Sequence, residues 1–206
     1  MKWDNLHLGI RIKGIPFKRH NSFLRVMHWV LVPATLSLVA SGFYTNKPSR
    51  TKSFHNMDKA RKVHFIAQHF FVSYLISRAY YAWMYGDYTH LLPGKRDIAS
   101  LPKFMAHTFF LRRKKPHYPK YNPAQKILFA QMAILFPLQA LTGYALYSTS
   151  GLQKLSRIFG GLGKTRLVHY LNAVLISGLI SGHIYFAFTD SIAKLKSIFT
   201  GYFAPK

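Results

Sequence analysis

A helix needs about 20 mostly apolar residues to cross the hydrocarbon core of a bilayer. The chain carries four runs of that kind, at residues 26–44, 63–85, 127–147 and 167–188. Pro33 lies inside the first and Pro137 inside the third. Both are tolerable in a membrane, where neighbouring helices re-satisfy the freed backbone groups. Aromatic residues crowd the ends of the runs, among them Trp29, Tyr44, Tyr80, Tyr81, Trp83, Tyr85, Tyr144, Tyr147 and Tyr185, the placement of interfacial belts. Polar stretches separate the runs: a short loop at 46–62, a long basic loop at 86–126 and a Gly-rich loop at 148–166. The pattern predicts an all-α, integral membrane four-helix bundle, with residues 1–206 forming a single membrane domain.

Composition sharpens this picture. Half of the 206 residues are hydrophobic and 17% are charged, against about 25% charged in an average soluble protein. Mean hydropathy is nevertheless only +0.03, so the apolar residues are gathered in blocks between basic stretches. There are 29 Lys and Arg against 5 acidic residues, all of them Asp. Counted by loop, eighteen positive charges fall on the side holding both termini and ten on the other, which predicts that both termini lie in the cytoplasm. The basic loops lie beside the spans, so topology and membrane lipid account for them and no nucleic-acid partner is expected. The aromatic and aliphatic content excludes intrinsic disorder. A signal peptide ending near Val39-Ala40-Ser41-Gly42 is the competing reading of the first run; cleavage there would discard His28 and leave three spans.

Candidate chemistry narrows by elimination. Zero cysteines exclude disulfides, thiolate iron–sulfur ligation, covalent c-type haem and cysteine nucleophiles. Five carboxylates are too few for catalysis by paired acids. Histidine, at 11 residues, is the ligating side chain left in quantity.

Five histidines fall in the apolar runs: His28, His64, His69, His169 and His183. An ionisable residue there is costly and points to function. His169 and His183 are 14 residues apart, about 21 Å along a helix with about 40° of drift, so they share a face near opposite membrane surfaces. Two ligands stacked in this way would hold two haems. His28, near the inner end of the first run, lies level with His183. The second run supplies either His64 or His69 opposite His169. These two are about 140° apart around the helix, and periodicity does not choose between them. The plainer reading of each histidine is a polar contact between helices. Arg25 and Arg78 would lie near the inner surface, where they could pair with haem propionates or extend to the headgroups.

Several stretches resemble the di-haem cytochrome b subunits of respiratory nickel–iron hydrogenases and, more distantly, of formate dehydrogenases. They are Arg25-Val-Met-His28-Trp29 with Ser41-Gly42, Arg61-Lys-Val-His64-Phe65, Arg78-Ala-Tyr80-Tyr81-Ala82-Trp83 with Gly86-Asp87, Tyr121-Asn122-Pro123-Ala124-Gln125, Thr142-Gly143-Tyr144-Ala145-Leu146-Tyr147-Ser148, His169 with His183, and the tail from Asp190 to Gly201-Tyr202. The resemblance covers nearly the whole chain after about residue 20.

That resemblance implies two bis-histidine b-type haems: His28 and His183 on the inner iron, His64 and His169 on the outer. The Arg-x-x-His-Phe context is what selects His64 over His69. It implies an iron–sulfur small subunit and a catalytic large subunit as partners on the outer face, and a quinone, menaquinone or ubiquinone, reduced near the cytoplasmic surface. Asn122 and Gln125 match polar residues at the quinone site of the formate dehydrogenase branch, although Pro123 and Ala124 depart from its pattern. Asn122-Pro123 also reads as the start of a helix. Two alternatives stand beside the hydrogenase reading: the matching subunit of a formate dehydrogenase or other molybdenum enzyme, and a haem-free membrane anchor.

Overall fold

A computed structural model describes residues 16–50, 53–113, 118, 121–147, 151 and 153–203. The loop histidines His7 and His117 and the Ser148 that closes one of the motifs lie outside them. The described chain is almost wholly helical: β1 (Phe17–Lys18), α1 (Ser22–Asn46), a 3-10 turn (Pro48–Arg50), α2 (Met57–Tyr85), α3 (Tyr88–Leu91), α4 (Lys95–Thr108), α5 (Pro123–Tyr147), α6 (Gln153–Ile158), α7 (Leu162–Asp190), α8 (Ile192–Thr200) and β2 (Tyr202–Phe203).

Each of the four apolar runs lies inside one helix, and the helices extend beyond the runs because local caps start them early. Asn56 caps α2, its side chain accepting from the Lys59 N–H at 2.9 Å. Asn122 and Gln125 cap α5 reciprocally. Asn122 Oδ1 accepts from the Gln125 N–H at 2.8 Å, and Gln125 Oε1 accepts from the Asn122 N–H at 3.1 Å. Pro123 fills the first helical position, where its missing N–H costs nothing.

By length and composition α1, α5 and α7 are apolar enough to cross a membrane. At 25 to 29 residues they measure about 37–44 Å, ample for a hydrocarbon core of about 30 Å. The 29-residue α2 is as long but carries Asp58, Lys59, Arg61, Lys62 and Arg78, which lower its mean hydropathy.

The chain forms two compact units, residues 30–183 and residues 1–29 with 184–206. In the larger, Phe71 of α2, Phe136 of α5 and Ile176 of α7 form the centre of an apolar core, with Leu31 and Leu38 of α1 packed against it. The Phe71 and Phe136 rings stand 5.1 Å apart. Outward-facing apolar side chains such as Leu36, Ile76, Ile134 and Leu175 are more than half exposed, a surface suited to lipid and not to water.

Two of the sequence loops contain helices. The basic loop holds α3 and α4, the latter started by the Gly94 N–H donating to Asp97 Oδ2 at 2.9 Å. The Gly-rich loop holds α6 and the first turns of α7. Gly160 and Gly161, at φ 82° and 95°, turn the chain between them in a conformation that side chains disfavour.

The smaller unit joins the two ends of the described chain and contains the one departure from an all-helical fold. β1 pairs antiparallel with β2, Phe17 opposite Phe203 and Lys18 opposite Tyr202. The Gly201 carbonyl accepts from the Arg19 and His20 N–H groups at 2.8 and 3.1 Å. Arg25 donates to the Phe199 carbonyl, and the Trp29 indole N–H to the Ile198 carbonyl at 3.3 Å. The last turn of α8 is thereby supplied with donors, one of them cationic, which suits the negative end of a helix dipole.

Asp97 also ties α4 to α5 through an ion pair with Lys126 at 2.9 Å. Partial burial alone would raise its pKa, but the Lys126 hydrogen bond, the Gly94 N–H and the Lys126 charge outweigh it and hold the carboxyl below the usual range. A depressed carboxylate stabilises the fold above its unfolded pKa of about 3.9, and that contribution fades as pH falls through the lower folded value. Asp97→Asn should therefore cost up to about 1 kcal/mol near neutrality. In detergent melts, the difference from wild type should be flat from neutral to mildly acidic pH and vanish in strong acid.

Candidate functional site

The larger unit holds a partly open cavity of about 460 Å³ lined by residues of α1, α2, α5 and α7, within the size range of ligand pockets. His64 of α2 and His169 of α7 both line it, among mainly apolar neighbours that include Leu38, Phe71, Tyr144 and Ile176.

Each imidazole is held by a hydroxyl on an adjacent helix. His64 Nδ1 stands 2.9 Å from Ser41 Oγ of α1, and His169 Nδ1 stands 2.9 Å from Thr142 Oγ1 of α5. The hydroxyl protons are already committed, Ser41 donating to the Ser37 carbonyl at 2.6 Å and Thr142 to the Leu138 carbonyl at 2.8 Å. A hydroxyl has one proton, so each oxygen accepts from the ring. The proton therefore sits on Nδ1 and the lone pair on Nε2, the tautomer a metal-ligating histidine needs.

The residue after each hydroxyl is glycine. A Cβ on Gly42 would stand 3.5 Å from His64 Cε1, and one on Gly143 would stand 3.3 Å from His169 Cε1. The missing side chains are what let α1 and α5 approach the rings. Gln139 of α5 donates to His169 Nε2 at 3.1 Å and accepts from Asn172 at 2.8 Å; iron on His169 would take the place of the first of these bonds.

Among the described residues, no three metal-ligating side chains gather around a point, so a bare ion held by protein ligands alone has no site. Two imidazoles across an apolar cavity instead suit a planar macrocycle that brings its own equatorial nitrogens. Both lone pairs and both glycine clearances match such a group.

The other site residues named from sequence fall as follows. His69 is exposed and donates from Nδ1 to the Phe65 carbonyl of its own helix at 2.6 Å; it does not line the cavity, whereas His64 does. Arg78 pairs with Asp87 at 2.6 Å, with its remaining Nη1 buried and unpartnered. Arg25 is engaged at the Phe199 carbonyl. His28 of α1 packs its ring at 5.2 Å from Trp29 in the smaller unit. His183 of α7 lies 6.0 Å from the Phe129 ring in the larger. Asn122 and Gln125 form the α5 cap, and Asn122 Nδ2 is buried with no hydrogen-bond partner.

Sequence reasoning missed three contributors. Ser41 and Thr142 were given no role of their own, and their link to histidines 23 and 27 positions away exists only across helices. Arg166 is the one Lys or Arg among the described cavity-lining residues. Its position three before His169 repeats the spacing of Arg25 to His28 and of Arg61 to His64, a signal that was available.

Helices long and apolar enough to cross a membrane, with two imidazoles on one largely apolar cavity, place the chain in the class of helical membrane proteins. The chain belongs to the prokaryotic cytochrome b561 family, which matches residues 19–201. Membership implies a b-type haem. It is also similar to a probable Ni/Fe-hydrogenase B-type cytochrome subunit of Rhizobium leguminosarum bv. viciae, at 24% identity over 197 residues, covering 85% of this chain and 82% of that protein.

The clearance at Gly143 is testable. Gly143→Val should crowd His169 and lower the b-type haem content of the purified protein. Gly163→Val, at a site with nothing within 4 Å, should leave it unchanged in a pyridine haemochromogen assay.

Proposed function

We propose that the protein is the di-haem membrane subunit of a hydrogenase, carrying electrons from an iron–sulfur partner on the outer face to quinone at the cytoplasmic face. The observation that carries this reading is the pair His64 and His169 on one apolar cavity, each with Nδ1–H bonded and Nε2 left to ligate. The name of the Rhizobium relative favours a hydrogenase over a formate dehydrogenase as partner.

In this reading α1, α2, α5 and α7 form a four-span bundle in the inner membrane with both termini in the cytoplasm. The excess of basic residues on that side and the pairing of Phe17–Lys18 with Tyr202–Phe203 support it. His64 and His169 hold the outer haem. His28 and His183 hold the inner one. Haem held by two imidazoles supplies one-electron transfer and leaves no open iron position for oxygen chemistry. Arg166 is placed to receive propionates at the outer site; Arg25 and Arg78 are the candidates at the inner.

Reduced-minus-oxidised spectra test the ligand set. His64→Ala and His169→Ala should each lose about half the haem, and the same half. His28→Ala and His183→Ala should lose the other half, while His69→Ala keeps both. Loss of haem in His69→Ala with full content in His64→Ala would overturn the assignment.

Asn122 is the proposed quinone contact. Its carbonyl oxygen is spent on the helix cap, while its Nδ2–H₂ is buried and unpartnered. Such a donor carries a desolvation cost of about 1–3 kcal/mol until it is satisfied, and a quinone carbonyl would satisfy it. Asn122→Asp keeps the cap and removes the donor. It should leave haem content and reduction by the partner normal and slow haem reoxidation by quinone in stopped flow. Gln125→Ala, which leaves the Asn122 N–H without its acceptor, should slow the same step. Wild-type reoxidation in both variants would remove the site.

A further inference from the structure

The two imidazoles of the cavity are held by one device used twice. On α1 and again on α5, a hydroxyl residue is followed by glycine. The hydroxyl is fully buried in both cases, its proton given to the carbonyl four residues back and its oxygen set 2.9 Å from a histidine Nδ1. The glycine clears the same Cε1 edge of each ring. Hydroxyls that bond back to their own helix are common in membrane helices. A second partner on the same oxygen, on both sides of one cavity, is not explained by that habit.

We propose that Ser41 and Thr142 are positioning residues that set the donor strength of His64 and His169, and through it the reduction potential of the haem between them. The inference rests on the reading that these two histidines are its axial ligands. The physical chain is short. An imidazole whose N–H is donated to an acceptor holds more electron density on the opposite nitrogen and is the more basic ligand. A more basic ligand favours ferric over ferrous iron, so the bond lowers the potential.

A hydroxyl that is itself donating to a carbonyl is polarised into a better acceptor than a free one, yet it remains uncharged and so acts more gently than a carboxylate. Burial keeps water from substituting for it. With one such bond on each axial ligand, the two effects act on the same iron. The bonds also fix ring orientation, because each ring is held at its Nδ1 by the hydroxyl and bounded along Cε1 by a helix backbone.

The test is potentiometry of the purified, haem-loaded protein, with the EPR signature of the low-spin ferric haems read alongside. Ser41→Ala and Thr142→Val should keep both haems and shift one potential upward, the same one in each variant. The double variant should shift it further, leaving the second haem in place. Ser41→Thr and Thr142→Ser restore the acceptor and should return the wild-type potential and EPR signal, which a purely structural defect would not.

Where Ser41→Ala fails to retain haem, Ser41→Cys, near in size and a weaker acceptor, is read in its place with the same upward shift expected. Full haem content with wild-type potentials in the alanine (or cysteine) and valine variants would overturn the proposal and leave the hydroxyls as helix back-bonds only. The ligand assignment fails separately. If the haem that shifts in Ser41→Ala is still present in His64→Ala and His169→Ala, the axial pair is wrong.

Discussion

A histidine inside an apolar helix pack is stable only if its N–H finds a partner, since an unmet buried donor costs about 1–3 kcal/mol. Here that requirement is met from the neighbouring helix, Ser41 serving His64 and Thr142 serving His169. The consequence reaches past stability. Satisfying Nδ1–H assigns the lone pair to Nε2 in both rings, the tautomer that a metal-ligating histidine needs. It also demands that α1 lie close against α2, and α5 against α7. Gly42 and Gly143 provide that approach at the same two levels.

The surroundings reinforce the arrangement without directing it. Phe71, Phe136 and Ile176 fill the middle of the larger unit, and dispersion among such rings is large only in sum. The outward faces carry apolar side chains that lipid solvates as well as protein would. In the larger unit, caps at Asn56 and Asn122 start α2 and α5. Basic residues rarely find carboxylates in a chain with five acids. Arg78 and Lys126 take two of them, Asp87 and Asp97, while Arg25 meets a helix-end carbonyl.

Family membership and geometry speak to different parts of the molecule. The cytochrome b561 match establishes that this is a b-type cytochrome of the membrane. The cavity adds which side chains face one another in the larger unit. Arg166 enters at this level, as a cation among the lining residues.

Sequence by itself determined the helices and their solvent. Apolar runs of about 20 residues admit few alternatives to membrane helices, and the caps that start α2 and α5 are local chemistry, readable from Asn56 and from Asn122-Pro123-Ala124-Gln125. The set of histidines was readable too, because an ionisable group in such a run is costly enough to stand out. The choice between His64 and His69 was different. Both sit in the same run, where periodicity leaves them open; the resemblance alone pointed to His64, and the helix packed alongside shows which of two faces looks inward. His64 meets Ser41 on that face, while His69, turned about 140° away, falls back on its own Phe65 carbonyl. The partners of Arg25 and the double duty of Ser41 and Thr142 were equally hidden. They are contacts between residues 23 to 174 positions apart, set by how helices pack, and no local pattern along the chain encodes that distance.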